Sequence, residues 1–497
     1  MRRTTGIRRW GGRAVTALSL TAVAAYATAA APAQAREPAD TVRPAGAAAP
    51  ATSKIKGFNK TLNGGSWNTS HVQGIAVDQK NGFIYYSFTT LLVKTDLEGK
   101  VIGTLGGFTG HLGDLDFNEE DGRVYGSLEY KAQEAFYIAV IDVDKVVRPG
   151  MEAQNSEIFQ TVHLDEVVDD YTADMNGDGV FDGNVGNTPD HRYGGSGIDG
   201  VSFGPKFGET GGKQYLTVAY GIYSNLDRTD NDHQVLLQYD IADWASYEKP
   251  LSETTPHRSG PEAVSGKYFV FTGNTRYGVQ NLEYDGFLQR WFMGVYKGSK
   301  PAYPNYTLFA VDAATKPVQG ELAGTGGEQG RLIALAKDGR TDAATGIRGW
   351  VQKADVGIES LGDGLFYLAK DSKVNGLQTA DITLHRWTGD PEAPFVVAKS
   401  ESELHRAPVF TSGEPADGIR GQAYEHTFTA SAFPKAVFKV GGGRFPEGLR
   451  LDEETGVLSG APAKPGRYAF TVTAANGVGS AASQKVILKI KGGPKAG

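Results

Sequence analysis

The sequence predicts an all-β protein whose larger part is a β-propeller of five blades. Three observations predict it. Glycine is abundant, at 66 of 497 residues, while charged residues stay at 22%, a balance that suits many strands joined by tight turns. Short strand-like runs follow one another as meanders of about 40 residues, the size of one blade. The same opening, an apolar residue followed by a polar or small one, returns at Val72-Gln73, Leu112-Gly113-Asp114, Ile198-Asp199, Val279-Gln280 and Ile358-Glu359.

The elements follow in order. Residues 1–35 carry a basic stretch, a short apolar run and an Ala-Gln-Ala site, the pattern of a secretory signal. Arg8-Arg9 partly matches a twin-arginine signal. Residues 36–53 are rich in Pro and Ala without apolar period and read as a disordered spacer. No later apolar run approaches the ~20 residues that span a bilayer, so no transmembrane anchor is expected. There is no cysteine, so disulfides play no part in holding the fold.

The propeller is expected over 54–405. "GIAVD", "GFIYYSF", "LLVKTDL" and "KVIGTLGG" form the first meander, and the third strand of four copies ends in Asp96, Asp142, Asp240 and Asp312. The gaps between copies are uneven. Five blades with long insertions fit, as do seven with two too degraded to read. A ring closes by strand exchange, so the first strand, near "IKGFNKTL", is expected to complete the last blade.

Residues 406–490 differ in texture, and 491–497 form a loose tail. Pro446, Gly448, Leu449, Thr455-Gly456, Ser459-Gly460, Pro462, Gly466, Tyr468 and Val472-Thr473-Ala474 together resemble the Ig-like (cadherin-like) domain family of bacterial secreted and surface proteins. The resemblance implies a small Ig-like β-sandwich. Some relatives are calcium-associated, but this copy has no Asp-rich cluster, so no calcium is assigned to it.

A calcium-type loop is inserted near 174–185. In "DMNGDGVFDGN", Asp174, Asn176 and Asp178 stand at positions 1, 3 and 5, Gly179 at 6, the Val180 carbonyl at 7 and Asp182 at 9. Alternating hard oxygen donors suit Ca²⁺. Position 12, usually Glu, is Val185, with Asp190 a candidate to reach in. The expectation is a structural Ca²⁺. The bland alternative is a solvated Asx-rich loop that binds nothing.

Candidate site residues gather where the innermost strands begin. His71, Gln73, His111, Asp114, Asp199, Gln280, Glu283 and Glu359 converge on one polar mouth if the propeller is correct. The competing reading is that such residues bridge blades or hold channel water. A second group is "YGIYSNLDRTDNDHQ" with Tyr223, Arg228 and His233, joined downstream by Arg258, Arg276 and Tyr277. Arg can pair a sugar carboxylate and aromatic faces can stack on rings. "DRTDND" can equally be a self-paired turn.

Some functions are excluded or set back. The net charge of −7 argues against nucleic acid. There is no Cys nucleophile, no Gly-x-Ser-x-Gly and no His-Glu-x-x-His. The expectation is a secreted, monomeric propeller that binds an extracellular glycan or surface polymer. The alternative is a carbohydrate-active enzyme. A hydrolase would use two of Asp114, Asp199, Glu283 and Glu359, about 5–9.5 Å apart. A polysaccharide lyase would use His111 or Tyr223 as base, with Arg228 or Arg276 neutralising a uronate. A purely adhesive role is the third reading.

Overall fold

The computed structural model describes residues 58–398, 406–433 and 436–493. The signal and spacer expectations fall on 1–53, outside the described residues. Among the described residues the strands form five radial sheets and a separate sandwich. Blade I is Gly74–Asp78, Phe83–Ser87, Leu92–Asp96 and Val101–Gly106. Blade II is His111–Asn118, Arg123–Tyr130, Ala135–Ile141 and Phe159–His163. Blade III is Gly195–Gly204, Tyr215–Ile222, His233–Tyr239 and Gly266–Phe271. Blade IV has Thr275–Asp285, Arg290–Lys297 and Leu308–Asp312. Its outer strand shrinks to a bridge between Leu308 and Trp350.

Blade V takes three strands from the end of the ring, Ile358–Ser360, Leu365–Val374 and Leu377–Trp387, and its outer strand, Thr61–Trp67, from the beginning. Thr61 pairs with Thr383 and Trp67 with Gln378, across a bulge. Asn63 Nδ2 adds bonds to Asp381 (2.6 Å) and Thr379 (2.8 Å). This exchange ties the two ends of the ring.

The first strands of successive blades pack side by side around the axis, and blade V returns to blade I. The apolar member of each repeated opening explains why. Val72, Leu112, Ile198, Val279 and Ile358 are each buried, and each enters a different hydrophobic cluster. There are thus five cores, one per gap between blades, each built from the facing sides of two sheets. The axis is tight: a Cβ on Gly74 would lie 2.6 Å from the Asp114 Cα, so only glycine fits there.

Side chains on the inner strands bond across to the next blade. Asp114 Oδ2 accepts from Val201 N (3.1 Å) in blade III and from Leu282 N (2.9 Å) in blade IV. Glu283 Oε1 accepts from Ser360 N (2.8 Å), and Glu359 Oε1 from Val77 N (3.0 Å). Asp114, Glu283 and Glu359 are therefore hydrogen-bonded into the wall of the ring. Burial pushes all three carboxyls well above their usual range.

The insertions account for the uneven gaps. Between blades II and III lie the single α-helix of the described residues, Asp165–Tyr171, and the 174–190 loop. The strands Val318–Glu321 and Gln329–Leu332 extend the outer edge of blade III. No described helix is long and apolar enough to cross a membrane.

The C-terminal unit is a sandwich. One sheet holds Gly418–Ile419, Ala482–Lys491, Gly466–Ala475 and Val437–Gly443. Tyr424–Thr427, Val457–Gly460 and Leu449–Leu451 form another. Phe428, Phe438, Leu458, Tyr468 and Val472 fill its core. The Tyr468 hydroxyl donates to the Lys464 carbonyl at 2.9 Å, pinning the corner into its strand.

Removing the carboxyl that joins blade V to blade I strands a buried N–H, which costs about 1–3 kcal/mol. Glu359→Ala is expected to lose stability of that order in urea unfolding. Glu359→Gln, which keeps an acceptor, is expected to lose much less.

Candidate functional site

The mouth forms where inner strands start and second strands end. Antiparallel pairing sets His111 opposite Glu129 and Arg276 opposite Tyr296. Two clefts open there. One, of about 510 Å³, is lined by His71, Gln73, His111, Glu129, Lys131, Asp199, Gln280 and their neighbours. The other, of about 690 Å³, is lined by Arg276, Lys297, Val351, Lys353, Asp355 and others. His71, Tyr277 and Tyr296 line both.

The first cleft holds a compact charge cluster. His111 Nδ1 lies 3.5 Å from Glu129 Oε2 and 3.7 Å from Asp199 Oδ1, without a hydrogen bond among the described residues. Lys131 Nζ is 3.2 Å from Glu129 Oε2. Glu129 Oε1 accepts from Ile198 N at 2.6 Å. Gln280 Nε2 donates to Asp199 Oδ2 (2.9 Å) and to the Tyr277 carbonyl (2.7 Å), linking the two clefts.

Burial and charge act in opposite directions within this cluster. Burial pushes the Asp199 carboxyl up to about 7, and the neighbouring Glu129 charge adds to it. Burial would raise Glu129 too, but Lys131 and His111 hold it below the ordinary carboxylate value. Burial works to lower His111, and Glu129 and Asp199 overcome it and hold the imidazole above its usual value. The cluster thus contains one committed carboxylate and one carboxyl poised near neutrality, with an imidazole between them.

Tyr277 forms the rim. It is 40% exposed and has φ +62°, a left-handed conformation uncommon for a bulky residue. The bulge in its strand, between Arg276 and Val279, imposes it. Its ring stands 6.5 Å from that of Tyr296 at 81°. The Arg276 guanidinium lies 5.1 Å over the Tyr277 ring.

The structure brings His71, Gln73, His111, Asp199, Arg276, Tyr277 and Gln280 together at the mouth. Tyr223 stands near it. Burial raises its phenol, Lys131 pulls the other way, and its hydroxyl bonds Asn184. The other candidates lie elsewhere. Asp114, Glu283 and Glu359 sit within the ring wall, as described above. Arg228 is consumed by Asp230 (2.7 Å) and by the carbonyls of Pro189 (2.8 Å) and His191 (2.8 Å). His233 packs on Phe271 (5.2 Å), and burial drives it down to about 4. Arg258 bonds His163 Nε2 (2.8 Å) and the Glu134 carbonyl (2.6 Å).

Glu129, Lys131, Tyr296 and Lys297 were not anticipated. All four lie at or just past the ends of second strands. The signal that finds them is hairpin register: once the turn is placed, His111 must face Glu129.

The 174–190 loop closes on itself. Asp174 accepts from Gly177 N (2.7 Å) and Gly179 N (2.8 Å), Asp178 from Val180 N (2.8 Å), and Asp182 from the Thr188 hydroxyl (2.8 Å). Gly179 has φ +78°, the sharp turn such a loop needs. Asn176 Oδ1 accepts from Asp178 N (3.0 Å). Buried Asp190 reaches back to Met175 N (3.2 Å) and Asp182 N (2.8 Å). Among the described residues no three His, Asp or Glu side chains converge as metal ligands. The donor chemistry suits a hard cation, and each carboxylate keeps lone pairs beyond those its backbone partners use.

Fold and site define a five-bladed β-propeller with a polar mouth, joined to an Ig-like module. Residues 407–491 match the protein family described as "Putative Ig domain". No curated protein matches the sequence. Among solved structures, the Dos1 propeller aligns over 84% of this chain and 78% of its own, at 10% identity and TM-score 0.30. PorZ, described as a surface component of the type-IX secretion system of Porphyromonas gingivalis, aligns over 83% of this chain and 51% of its own (12% identity, TM-score 0.25). A Bacteroides fragilis protein described as a putative alpha-galactosidase matches over only 19% of each chain (24% identity, TM-score 0.16). A second such protein, described as an alpha-galactosidase/melibiase, is matched over 17% of its length, at 21% identity and TM-score 0.16.

The Asp199 carboxyl gives a pH signature. Its folded value near 7 lies above the ~3.9 of an unfolded Asp. Its stabilising contribution is therefore full below about pH 4 and is lost as pH rises through 7. Asp199→Asn cannot ionise. Its melting temperature relative to the parent is expected to climb between about pH 5 and pH 8. A flat difference would contradict the assignment.

Proposed function

We propose that the protein is an extracellular glycan-binding propeller whose ligand sits in the mouth. The observation that carries the reading is the placement of Tyr277 and Tyr296 beside the His111–Glu129–Lys131–Asp199 cluster, in one pair of connected clefts. A sugar offers apolar C–H faces for aromatic rings and hydroxyls for charged and polar partners, and this mouth supplies both kinds of surface. Calcium belongs to the same proposal as a structural ion in the 174–190 loop. The loop's oxygen donors and left-handed Gly179 support it. The loop meets the mouth through Tyr223, which bonds Asn184 on one side and senses Lys131 on the other.

A second reading is catalytic, and one observation favours it. An Asp199 carboxyl near 7 beside a His111 imidazole is a pair suited to general acid–base work. A hydrolase would use Asp199 with Glu129, and a lyase would use His111 as base.

The test is retention on immobilised neutral and acidic polysaccharides, followed in parallel for unsaturated uronate absorbance and new reducing ends. The parent is expected to be retained by at least one polymer. Tyr277→Ala is expected to lose roughly tenfold or more in affinity, about 1.4 kcal/mol. Product formation would select the catalytic reading. No retention and no product on the whole panel would end the glycan reading.

For the ion, calcium is expected to raise the melting temperature of the parent. Asp178→Ala should remove that increment and leave polymer retention by the folded protein unchanged. A calcium-independent parent would show that the loop is held by its own hydrogen bonds.

A further inference from the structure

The two clefts differ in charge, and the difference bears on what the mouth binds. In the cleft with His111 the charges are paired: Lys131 stands against Glu129, and His111 faces both Glu129 and Asp199. The other carries Arg276, Lys297 and Lys353. Lys353 is neutralised, with Asp371 at 3.0 Å and Asp355 at 3.5 Å. Arg276 and Lys297 are not. Both are exposed, and among the described residues neither has an ion pair or a side-chain hydrogen bond; the Arg276 contact is the Tyr277 ring face.

These two cations sit on adjacent strands of blade IV. Thr275 pairs with Lys297 and Arg276 with Tyr296; adjacent rungs alternate faces, but at this end of the hairpin both Arg276 and Lys297 line the one cleft. In a chain of net charge −7, two uncompensated cations lining one cleft are a local reversal of sign. The bulge and the strained Tyr277 backbone fix the ring under the guanidinium. A planar guanidinium is the form that recognises carboxylate or sulfate oxygens well.

We infer that the mouth selects an anionic sugar: its carboxylate or sulfate docks on Arg276 and Lys297, its ring lies against Tyr277 and Tyr296, and the adjoining residue of the polymer lies over the His111 cluster. This rests on the glycan reading above and adds the charge class and the direction of the ligand. In the other cleft Lys131 and His111 already face Glu129 and Asp199, so the uncompensated cations are the stronger anion site, and the polymer is held with its charged unit there and a hydroxyl-bearing unit beside Asp199.

The experiment uses the full chain and four probes: polygalacturonate, the same polymer after reduction of its carboxyls to neutral alcohols, dextran sulfate, and dextran. The parent is expected to bind a charged polymer in preference to its neutral counterpart, and binding should weaken as salt rises from about 50 to about 500 mM. Arg276→Gln/Lys297→Gln should lose roughly tenfold for each charge-assisted contact removed. It should stay close to the parent's melting temperature, because both side chains are exposed and neither has an ion pair or a hydrogen bond among the described residues. Preference for polygalacturonate identifies a carboxylated sugar, and preference for dextran sulfate a sulfated one; both support the inference.

Equal binding of charged and neutral polymers, or an unchanged double variant, overturns it. If the neutral polymer is then released by Tyr277→Ala, the glycan reading survives without the charge selection. If the parent binds none of the four, both fall together.

Discussion

The innermost strand of each blade has a problem that sets the design of the ring. Its outer edge pairs with the second strand, but its inner edge faces the axis, where no strand is available. A buried, unpaired backbone N–H costs about 1–3 kcal/mol, and every blade contributes such an edge. The protein answers with side chains from the neighbouring blade. Asp114 takes the N–H groups of Val201 and Leu282, Asp116 that of Phe203, Ser202 that of Tyr284, Glu283 that of Ser360 and Glu359 that of Val77. Between blades I and II the direction reverses, and the Ser87 hydroxyl donates to the Gly113 carbonyl at 2.5 Å. The circuit passes through all five blades and back to the first.

A carboxyl suits this task because one side chain offers two acceptor oxygens. Asp114 spends Oδ2 on two blades and Oδ1 on Asn281 Nδ2 at 2.5 Å, and Asn281 in turn reaches the Gln73 carbonyl at 2.7 Å. Burial drives Asp114, Glu283 and Glu359 upward, which favours their neutral forms and limits mutual repulsion. A protonated acid still accepts through its carbonyl oxygen, so the caps survive. In a chain without cysteine, these caps, the five inter-blade cores and the exchanged first strand together hold the ring shut.

The candidate site begins where this capping gives way to side-chain partners. Asp199 is an inner-strand carboxyl that, among the described residues, caps no backbone N–H of a neighbouring blade and meets side chains at the mouth, with Gln280 on Oδ2 and His111 opposite Oδ1. Sequence alone could not separate it from Asp114. Asp199 stands one residue after its apolar opening and Asp114 two, but each inner strand carries a bulge at that point, which breaks the two-residue period that would tell their facing. The repeat itself was legible: the five openings, the Asp-terminated third strands and the Ig-like turn residues all appear where the pattern placed them. The partners contributed by second strands were not, because Glu129, Lys131, Tyr296 and Lys297 carry no repeated motif and become neighbours only through hairpin register. Arg228, Arg258 and His233 looked available for the converse reason. Arg228 closes the self-paired turn that "DRTDND" allows, on Asp230, while its main-chain carbonyl partners, the histidine ring that Arg258 meets and the aromatic rings around His233 are revealed by no local spacing.

The bulge at Tyr277 shows how frame and mouth are coupled. A tyrosine at φ +62° persists only where its surroundings over-determine it. Here the constraint is visible. Gly278 follows it at φ +65°, with no room for a Cβ against the Tyr220 carbonyl, and Gln280 clamps the Tyr277 carbonyl. The same Gln280 amide holds Asp199. One side chain therefore sets both the aromatic rim and the orientation of the poised carboxyl. Because the blade IV strand that carries Gln280 also gives up the Leu282 N–H to Asp114, the geometry of the mouth is fixed by the closure of the ring. A propeller with a slack ring would lose the alignment of Tyr277 with Asp199 before it lost its blades.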